Sequence, residues 1–532
     1  MDDSGPQASL SSRSPRPDRP ESPLMPEPAA PHPIAPEQAE LVAFLGTPEA
    51  HGGATPQRID THLSHVFLGP QTVLKLKRAL TLDFVDYSTP DQRRAYCERE
   101  LAANTQWARS LYLDVAPVWK TPEGFQIGGD SPGDAPVDWL VRMHRFADED
   151  RLDKRLAAGR LTLAQVERFA DDLAANHERA PISDTPTLSQ NVSGLIDQVA
   201  GDMAAAGATP LFREASERWH ERARSAPRTH RGLIDARGQT GKVRQVHADL
   251  HLKNVCVWRD RLVGYDALEF DDALSTIDVL YDAAFPVMDF LHYKAGWAAS
   301  ALLTRYLART REYDGLPLFD LYLSLRAAVR AMASGLADQQ AEADAYLDLA
   351  LESLAPAPAP QLIALGGRSG TGKSTLASAI APTLGKRPGA IILRSDVIRK
   401  VMAGQAPEAP LPPSAYTPET SARVYAELVR QAKSCLAAGY ACILDATFLS
   451  KKSEANLADI TQDFDGEVKT LWLEAPTDVL RARVAERRGD ASDAGMDVLE
   501  KQLLEDEPQG WTRVDVSGSR DEAVTALKHA LS

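Results

Sequence analysis

The stretch Gly367-Arg368-Ser369-Gly370-Thr371-Gly372-Lys373-Ser374 decides the fold of the C-terminal part of this chain. It fits the pattern G-x-x-x-x-G-K-S and lies between an apolar run that predicts a strand and a run that predicts a helix. Glycines let the backbone approach phosphates closely, and N–H groups at a helix start favour anions. We predict a phosphate-binding loop in which Lys373 neutralises the β- and γ-phosphates of a nucleotide and Ser374 holds Mg²⁺. The alternative, a glycine turn without a ligand, is disfavoured by the complete motif in this context.

The sequence around this loop alternates between strand and helix patterns. Strands are predicted at 362–365, 390–393, 441–445 and 469–473, and helices at 373–384 and 419–438. Such alternation favours a parallel sheet that is covered by helices on both faces. We therefore predict a three-layer α/β/α fold of the P-loop NTPase type.

Two carboxylates follow predicted strands of this sheet. Asp396 comes after the second strand, on the side where open α/β sheets bind ligands, and is suited to accept the proton of an attacking hydroxyl. The alternative role for Asp396, or for Ser395 beside it, is to cap a helix. Asp445 ends the run Ala-Cys-Ile-Leu-Asp, which favours a Walker B position that orients Mg²⁺.

A local basic cluster lies on the helix predicted at 479–488. It consists of Arg481, Arg483, Arg487 and Arg488. Guanidinium groups bind phosphate oxygens in a bidentate manner, so the cluster is suited to a mobile lid that closes over ATP. The alternative is a solvated helix face that pairs with Glu486 and other acids.

These C-terminal motifs together resemble a known family. Gly367–Thr375, Ser395-Asp396, 444–448 and 487–494 are similar to small P-loop kinases of the "AAA domain" ATP-binding class, and to the kinase half of polynucleotide kinase, zeta toxins and gluconate kinases. The resemblance covers nearly all of 361–532. It implies ATP as the donor and a hydroxyl acceptor, and it places Thr375 and Arg487 among the nucleotide contacts.

A second motif lies well upstream, where Val246-His247-Ala248-Asp249-Leu250-His251-Leu252-Lys253-Asn254 fits H-x-D-x-x-x-x-N and Asp266 follows. This is the residue set and spacing of kinase chemistry. Asp249 is predicted to accept or orient the proton of the acceptor hydroxyl, and Asn254 and Asp266 to hold Mg²⁺ against ATP. His247 is predicted to pack and fix the loop.

The chain before this motif supplies candidate phosphate contacts. Strands are predicted at 64–68 and 72–77 and a helix at 90–109. Lys75 and Lys77 share one face of the second strand, and either of them can reach the α- and β-phosphates. Glu100 is the favoured ion-pair partner, with Glu98 as the alternative.

The first section resembles the aminoglycoside phosphotransferase and choline kinase group, which implies a bilobal protein-kinase-like fold. Arg142-Met143-His144 resembles the hinge where adenine docks, although 61–65 replaces a glycine-rich loop. The whole arrangement is similar to bifunctional aminoglycoside phosphotransferase/ATP-binding proteins. An acidic pocket would favour a polycationic acceptor, but structural roles are at least as well suited to the nearby acids, which are Asp271, Asp272, Asp278 and Asp282.

Length and composition bound these interpretations. The 532 residues exceed one compact core. We predict a disordered Pro-rich tail at 1–36, a kinase-like domain at 37–354, a Pro-Ala linker at 355–360 and a P-loop kinase domain at 361–532.

The formal net charge of -15 argues against nucleic acid as a partner, and no membrane-spanning run is visible. The four cysteines form no C-x-x-C pair, which favours a reducing, cytoplasmic setting. The sequence leaves the oligomeric state open.

The leading hypothesis is an enzyme with two magnesium-ATP sites on unlike folds, each acting on a small hydroxylated molecule. One alternative makes the C-terminal domain a polynucleotide-kinase-like enzyme. The other makes the N-terminal domain an ATP-binding regulatory switch with little transfer activity.

Overall fold

The computed structural model describes residues 33–82, 85–132, 135–205, 209–449, 451–462, 464–486 and 492–532. Most of the tail predicted at 1–36 lies outside these residues, and so do Arg487 and Arg488. Within the described ranges, none of the helices combines the length and the apolar character that crossing a bilayer requires.

A small lobe of strands and two helices comes first along the chain. Its elements are α1 (Ala39–Leu45), β1 (Gln57–Asp60), β2 (Ser64–Leu68), β3 (Thr72–Lys77), β4 (Thr81–Leu82), β5 (Val85–Asp86), α2 (Pro90–Ala108), β6 (Tyr112–Thr121), β7 (Gly124–Ile127) and β8 (Asp138–His144). Six strands form an antiparallel sheet in the order β1-β2-β3-β8-β6-β7. Thr89 starts α2 with a capping box to Gln92, which satisfies N–H groups that the first turn leaves open.

A larger helical lobe follows. Its helices are α3 (Leu152–Ala157), α4 (Leu163–Arg179), α5 (Leu188–Ala205), α6 (Pro210–Ala223), α7 (Ala226–Thr229), α8 (Arg231–Gln239), α9 (Asp272–Ser275), α10 (Val279–His292), α11 (Gly296–Thr310), α12 (Phe319–Leu336) and α13 (Gln340–Ser353). Its strands are β9 (Val243–Gln245), β10 (Val255–Trp258), β11 (Arg261–Gly264) and β12 (Thr276–Asp278). A strand-rich lobe followed by a helical lobe confirms the predicted bilobal, kinase-like fold class.

The C-terminal region is an α/β sandwich. Its strands are β13 (Gln361–Gly367), β14 (Ile391–Arg394), β15 (Cys442–Asp445), β16 (Glu467–Glu474) and β17 (Thr512–Asp515). Its helices are α14 (Lys373–Ile380), α15 (Ser395–Met402), α16 (Pro418–Ala437), α17 (Lys451–Thr461), α18 (Thr477–Glu486), α19 (Met496–Gln502) and α20 (Arg520–Leu531). All pairings are parallel, in the order β14-β15-β13-β16-β17.

Side chains of the central strand β13 alternate between two cores, as the period of a strand requires. Ile363 and Leu365 pack in the core that contains residues of α14 and α20. Leu362 and Ala364 pack in the core that contains residues of α16. The sheet is therefore buried on both faces, which confirms the predicted three-layer arrangement.

The helical lobe and the C-terminal sandwich share a hydrophobic core. One continuous cluster of buried side chains runs from α4 and α10–α13 into β13–β15 and α16. Helix α11 lies against the edge strand β14, and the Ile392 N–H donates to the Thr304 hydroxyl at 3.5 Å. Asp320 accepts from Lys386 at 2.6 Å and from the Tyr440 hydroxyl at 2.8 Å. The exposed segment 355–360 therefore joins two regions that are packed together.

Candidate active sites

The first candidate site is a cavity of about 990 Å³ between the two lobes. Strands β1–β3 line one side, the loop that contains Asp249 and Asn254 lies between, and α5, α10 and α12 line the far side. The turn 61–63 replaces a glycine-rich loop above the cavity. Val66, Val73 and Met143 line its strand side and offer an apolar surface to a nucleotide base.

Of the two candidate lysines, Lys75 faces the cavity and Lys77 does not line it. The Lys75 ammonium lies 2.6 Å from Asp266 and 2.9 Å from Glu100. Lys77 is 1% exposed and is held between Glu100 at 2.8 Å and Glu269 at 2.6 Å. Burial opposes the charged form of Lys75, but Asp266 and Glu100 outweigh it and raise its pKa above the usual value. Glu98 instead pairs with Arg94 on the exposed face of α2.

The predicted catalytic carboxylate and the predicted metal ligands converge in this cavity. The Asn254 amide donates to the Asp249 carboxylate at 2.8 Å. Asp266 lines the same cavity and accepts a hydrogen bond from Lys75 at 2.6 Å. Burial opposes ionisation of Asp249, but His251 and Arg330 outweigh it and hold the pKa of this carboxyl well below its usual range. Asp249 is therefore a carboxylate throughout the physiological pH range.

Buried carboxylates of α10 fix the loop that carries Asp249. Ala248 has the left-handed value φ 66°, which is strained for a residue with a side chain, and Asp282 accepts its N–H at 2.8 Å. Asp289 accepts the Leu252 N–H at 2.7 Å. His247 is buried against Trp107, and burial lowers its pKa, so it packs as a neutral ring.

The four aspartates that could have formed an acidic acceptor pocket, at 271, 272, 278 and 282, bind structural partners instead. Asp271 caps α9, and Asp272 pairs with Arg99 at 2.7 Å. Asp278 caps α10 and binds the Arg237 guanidinium through both oxygens at 2.6 and 2.7 Å. Asp282 holds the Asp249 loop and accepts from His177 at 2.9 Å. Their sequence positions alone left both roles open.

The second candidate site is the glycine loop between β13 and α14. Gly370 and Gly372 have φ values of 89° and 82°, where side chains are strained. A Cβ on Gly370 would also lie 2.7 Å from the Leu480 carbonyl. The Lys373 ammonium folds back over this turn and donates to the carbonyls of Gly367 at 2.8 Å and Arg368 at 3.1 Å. The loop therefore has the close backbone turn that phosphate binding needs.

The predicted metal ligands of the second site meet across the sheet. The Ser374 hydroxyl donates to the Asp445 carboxylate at 2.6 Å. The Arg394 guanidinium lies 3.3 Å from the same carboxylate oxygen. Arg394 was not predicted as a site residue, although its place at the end of a buried strand was a usable signal.

Asp396 lies in the first turn of α15. It does not cap the helix, because the N-cap position is Arg394 and has no side-chain capping bond. Burial raises the pKa of Asp396 above its usual value; Arg394 acts in the opposite direction and Asp445 adds to the rise. A carboxylate with a raised pKa is a stronger base for the proton of a hydroxyl.

Gln502 at the end of α19 and Glu507 after it hold the glycine loop. Arg368 donates to the Gln502 carbonyl at 3.0 Å and pairs with Glu507. Gln502 accepts the Ser369 N–H at 2.8 Å. Thr375 is exposed on the first turn of α14. Nothing in the spacing of the motif pointed to Gln502, which lies far along the chain.

The arginine cluster is divided between two surroundings. Arg481 pairs with Glu500 at 2.7 Å on an exposed face, and Arg483 donates to the carbonyls of Val516 and Gly518 at 2.9 and 3.0 Å. The Arg481 contact fits the alternative of a solvated helix face that pairs with acids, whereas Arg483 binds backbone carbonyls. The proposed nucleotide contact of Arg487 lies outside the described residues.

A proline-rich segment between α15 and α16 borders the second site. The Tyr416 hydroxyl and the Leu411 N–H both reach Asp493, at 2.5 and 3.1 Å. Glu408 accepts two hydrogen bonds from Arg305 of α11, at 2.8 and 2.9 Å. Arg305 also binds Asp171 through two bonds, so the helical lobe anchors this segment.

Comparison with known proteins bears on both halves of the chain. Residues 362–508 match the family model of an AAA domain, which confirms the predicted AAA-type P-loop domain. An uncharacterized protein of Mycobacterium tuberculosis is 27% identical over 504 residues, which cover 91% of this chain and 97% of that protein. An uncharacterized protein of Mycobacterium bovis matches to the same extent, with 27% identity over 504 residues.

Solved structures align with one half or the other. The GDP complex of aminoglycoside 2'-phosphotransferase-IIIa covers 60% of this chain and 99% of its own, with a TM-score of 0.36 and 11% identity. A choline/ethanolamine kinase family protein from Mesorhizobium loti covers 60% and 99%, with a TM-score of 0.35 and 12% identity. A gluconokinase from Sinorhizobium meliloti covers 32% and 92%, with a TM-score of 0.25 and 23% identity.

Proposed function

We propose that this chain is an ATP-dependent phosphotransferase with two sites, each of which moves the γ-phosphoryl group to a hydroxyl of a small molecule. The observation that carries the proposal is the 2.6 Å contact between Ser374 and Asp445 beside the loop that holds Lys373. A hydroxyl and a carboxylate from separate elements meet there at the end of a phosphate-binding turn. The first site repeats the same chemistry with other residues.

Both donor sets suit magnesium-bound ATP. Asn254 and Asp266 in the first site, and Ser374 and Asp445 in the second, offer oxygen ligands, which Mg²⁺ prefers. Each set is small and leaves positions for phosphate oxygens and water, as is usual where Mg²⁺ is bound together with a nucleotide. Bound magnesium-ATP supplies the phosphoryl group and part of the charge neutralisation.

In the first site, Asp249 accepts or orients the proton of the acceptor hydroxyl. Lys75 contacts the α- and β-phosphates, and Glu100 orients Lys75 at 2.9 Å. Asn254 fixes the Asp249 carboxylate at 2.8 Å while also serving as a metal ligand. Catalysis here is mostly positioning and electrostatic stabilisation, because phosphoryl transfer needs little other chemistry from the protein.

In the second site, the loop N–H groups and Lys373 hold the β- and γ-phosphates. Asp396 takes the proton of the acceptor hydroxyl as the hydroxyl oxygen attacks the γ-phosphorus, and the bond from that phosphorus to the bridging oxygen breaks to release ADP. The Arg394 guanidinium orients the Asp445 carboxylate from 3.3 Å. The segment that carries Tyr416 and Glu408 covers the acceptor.

The proposal is tested with the full-length chain, because the helical lobe and the C-terminal region share a hydrophobic core. ADP release is measured with sugars, aminoglycosides, nucleosides and 5′-hydroxyl oligonucleotides for the wild type, Asp249→Asn, Lys373→Ala and the double variant. We expect two separable activities, each removed by one substitution, and none in the double variant. Turnover that survives in the double variant contradicts the proposal, and efficient labelling of the oligonucleotides would assign the second site to nucleic acid ends.

A further inference from the structure

Most carboxylates that line the described part of the first cavity are paired with neighbouring side chains. Five carboxylates line the described part of the cavity: Asp60, Asp249, Asp266, Glu269 and Asp278. Four of them are already paired with cationic or histidine side chains at 2.6 to 2.8 Å. Only Asp249, the proposed base, faces the acceptor without a lysine or arginine bonded to it at such a distance. The cavity therefore offers no set of spare carboxylates to a polyamine.

Helix α12 adds positive charge to the side of the cavity that α5, α10 and α12 line, which we call the acceptor half. Arg326 and Arg330 lie one turn apart on it, both line the cavity, and they are 5% and 4% exposed. The Arg326 guanidinium stacks 3.7 Å from the Tyr281 ring centroid, donates to the Ala248 carbonyl at 3.0 Å and lies 3.8 Å from Asp282. Asp282 therefore offsets the charge of Arg326, which acts as a support of the Asp249 loop.

Arg330 lies one turn further along the same face of α12. It lines the same cavity as Asp249, and its guanidinium is 5.7 Å from the Tyr346 ring centroid. A buried guanidinium in the cavity that contains the proposed base is well placed to attract an anion and repel a cation. Apolar side chains of α5 and α12 line the same half, namely Leu188, Val192, Leu195 and Val329, together with the amides of Asn191 and Gln198.

We propose that the acceptor of the first site is an alcohol with an apolar body and an anionic oxygen group, a carboxylate or a phosphate, which binds at Arg330. The inference rests on the proposed function of this site and names its substrate class. The hydroxyl lies at Asp249, the apolar body contacts α5 and Val329, and the anionic group faces the guanidinium. A polycationic aminoglycoside meets the opposite charge pattern.

Three probes of equal chain length test the charge preference: hydroxyhexanoate, hexanediol and aminohexanol. They are compared in the full-length Lys373→Ala variant, in which the second site is silent. Turnover is followed by ADP release, and binding by calorimetry with a non-hydrolysable ATP analogue and Mg²⁺. We expect the acid to bind more tightly than the diol by about tenfold, the usual size of a charge-assisted contact, and the amine to bind least.

The Arg330→Gln substitution locates the effect. We expect it to remove the preference for the acid, with a KM increase of about tenfold for the acid and little change for the diol. Arg224→Gln, at an exposed arginine of the same lobe, is the matched control. An equal loss for acid and diol would indicate a merely structural role and would overturn the inference.

The order of the three probes in the Lys373→Ala variant, which retains Arg330, decides the matter even if the Arg330→Gln protein is unfolded. An amine that binds as tightly as the acid, or a site that does not distinguish the three probes, overturns the inference. Failure of the proposed function has a different signature, since nucleotide binding and ATP consumption would then be absent while calorimetry still ranks the probes.

Discussion

The two candidate sites differ in the groups that they offer to the charged phosphates of ATP. The proposed first site binds ATP through side chains: Lys75 of β3, Asp249 and Asn254 of one loop, and Asp266 after β11 line the same cavity. The second site uses backbone: a glycine turn and one helix start, with Lys373 and a Ser374–Asp445 pair. A site built from backbone groups can therefore be recognised in the sequence as a continuous motif, whereas a site built from side chains depends on packing far from the motif.

The proposed bases differ as well. Charges near Asp249 hold its pKa low, while burial raises the pKa of Asp396. Asp249 lines the first cavity, with His251 at 3.6 Å. Asp396 lies beside a second carboxylate, Asp445. The two sites should therefore respond differently to substitution and to pH.

The largest effect is expected from removing one site at a time. Asp249→Asn should lower the first activity by about 10²–10⁴-fold, the range for loss of a general base, and leave the second intact. Lys373→Ala should do the reverse, because it removes the charge on the phosphates. Initial rates of ADP release with site-specific acceptors measure both. Asp459→Asn, an exposed carboxylate, is the control, and loss of both activities in either single variant would mean that the sites are not independent.

The next effect concerns the backbone of the second site. Gly370→Ala should weaken nucleotide binding at this site by about tenfold or more, because a left-handed conformation costs roughly 1–2 kcal/mol and the new Cβ meets the Leu480 carbonyl at 2.7 Å. Gly372→Ala is the matched control, since its φ is also positive but no atom lies within 4 Å of the added carbon. Calorimetric titration with an ATP analogue measures this loss, because the first site contributes equally in the wild type and in both variants. Equal losses in the two variants would remove the steric part of the explanation.

The pH dependence should separate the two bases. Each acts when deprotonated, so activity falls as the pH drops through its folded pKa. Because the pKa of Asp396 is raised and that of Asp249 is lowered, the acid limb of the second activity should lie at higher pH than that of the first. Profiles of kcat/KM against pH, recorded in the Asp249→Asn and Lys373→Ala variants, measure the two limbs. Coincident limbs would contradict the assignment of at least one base.

The smallest effect is expected at the contact between the helical lobe and the second site. Glu408→Gln should raise the acceptor KM of the second site a few-fold, about what a lost charge-assisted hydrogen bond in a half-exposed position produces. The first activity should not change. Glu352→Gln, an exposed partner of Arg387, controls for loss of a surface charge. A change in kcat without a change in KM would place Glu408 outside acceptor binding.

The sequence predicted the elements that local patterns determine. The strands 64–68 and 72–77 were predicted with the boundaries that β2 and β3 have, and α2 and α16 within a residue or so, because capping residues and side-chain periodicity are local. β17 and α20 were not predicted, since Thr512–Asp515 is a short strand without a long apolar run. The choice between Lys75 and Lys77 was also out of reach, because only the packing of Glu100 and Glu269 distinguishes them.

The charge balance of the first cavity was the least predictable feature. Four aspartates close to the kinase motif left an acidic pocket open as an interpretation, yet Arg99, Arg237 and His177 engage three of them from distant parts of the chain. The arginines that line the acceptor half lie in the run Leu325-Arg326-Ala327-Ala328-Val329-Arg330, where two charges four residues apart interrupt an apolar helix face. That interruption was a readable signal for a buried polar function.

The contact of α11 with β14 sets a limit on how this protein can be taken apart. β14 is the outermost strand of the five-stranded sheet, and an uncovered strand edge recruits other chains. A recombinant fragment that starts at the linker would lose α11. It would expose the edge of β14 and the apolar side chains that pack against the helical lobe. Such a fragment should precipitate or self-associate, whereas a full-length chain nicked by protease at 355–360 should still elute as one particle and separate only in denaturant.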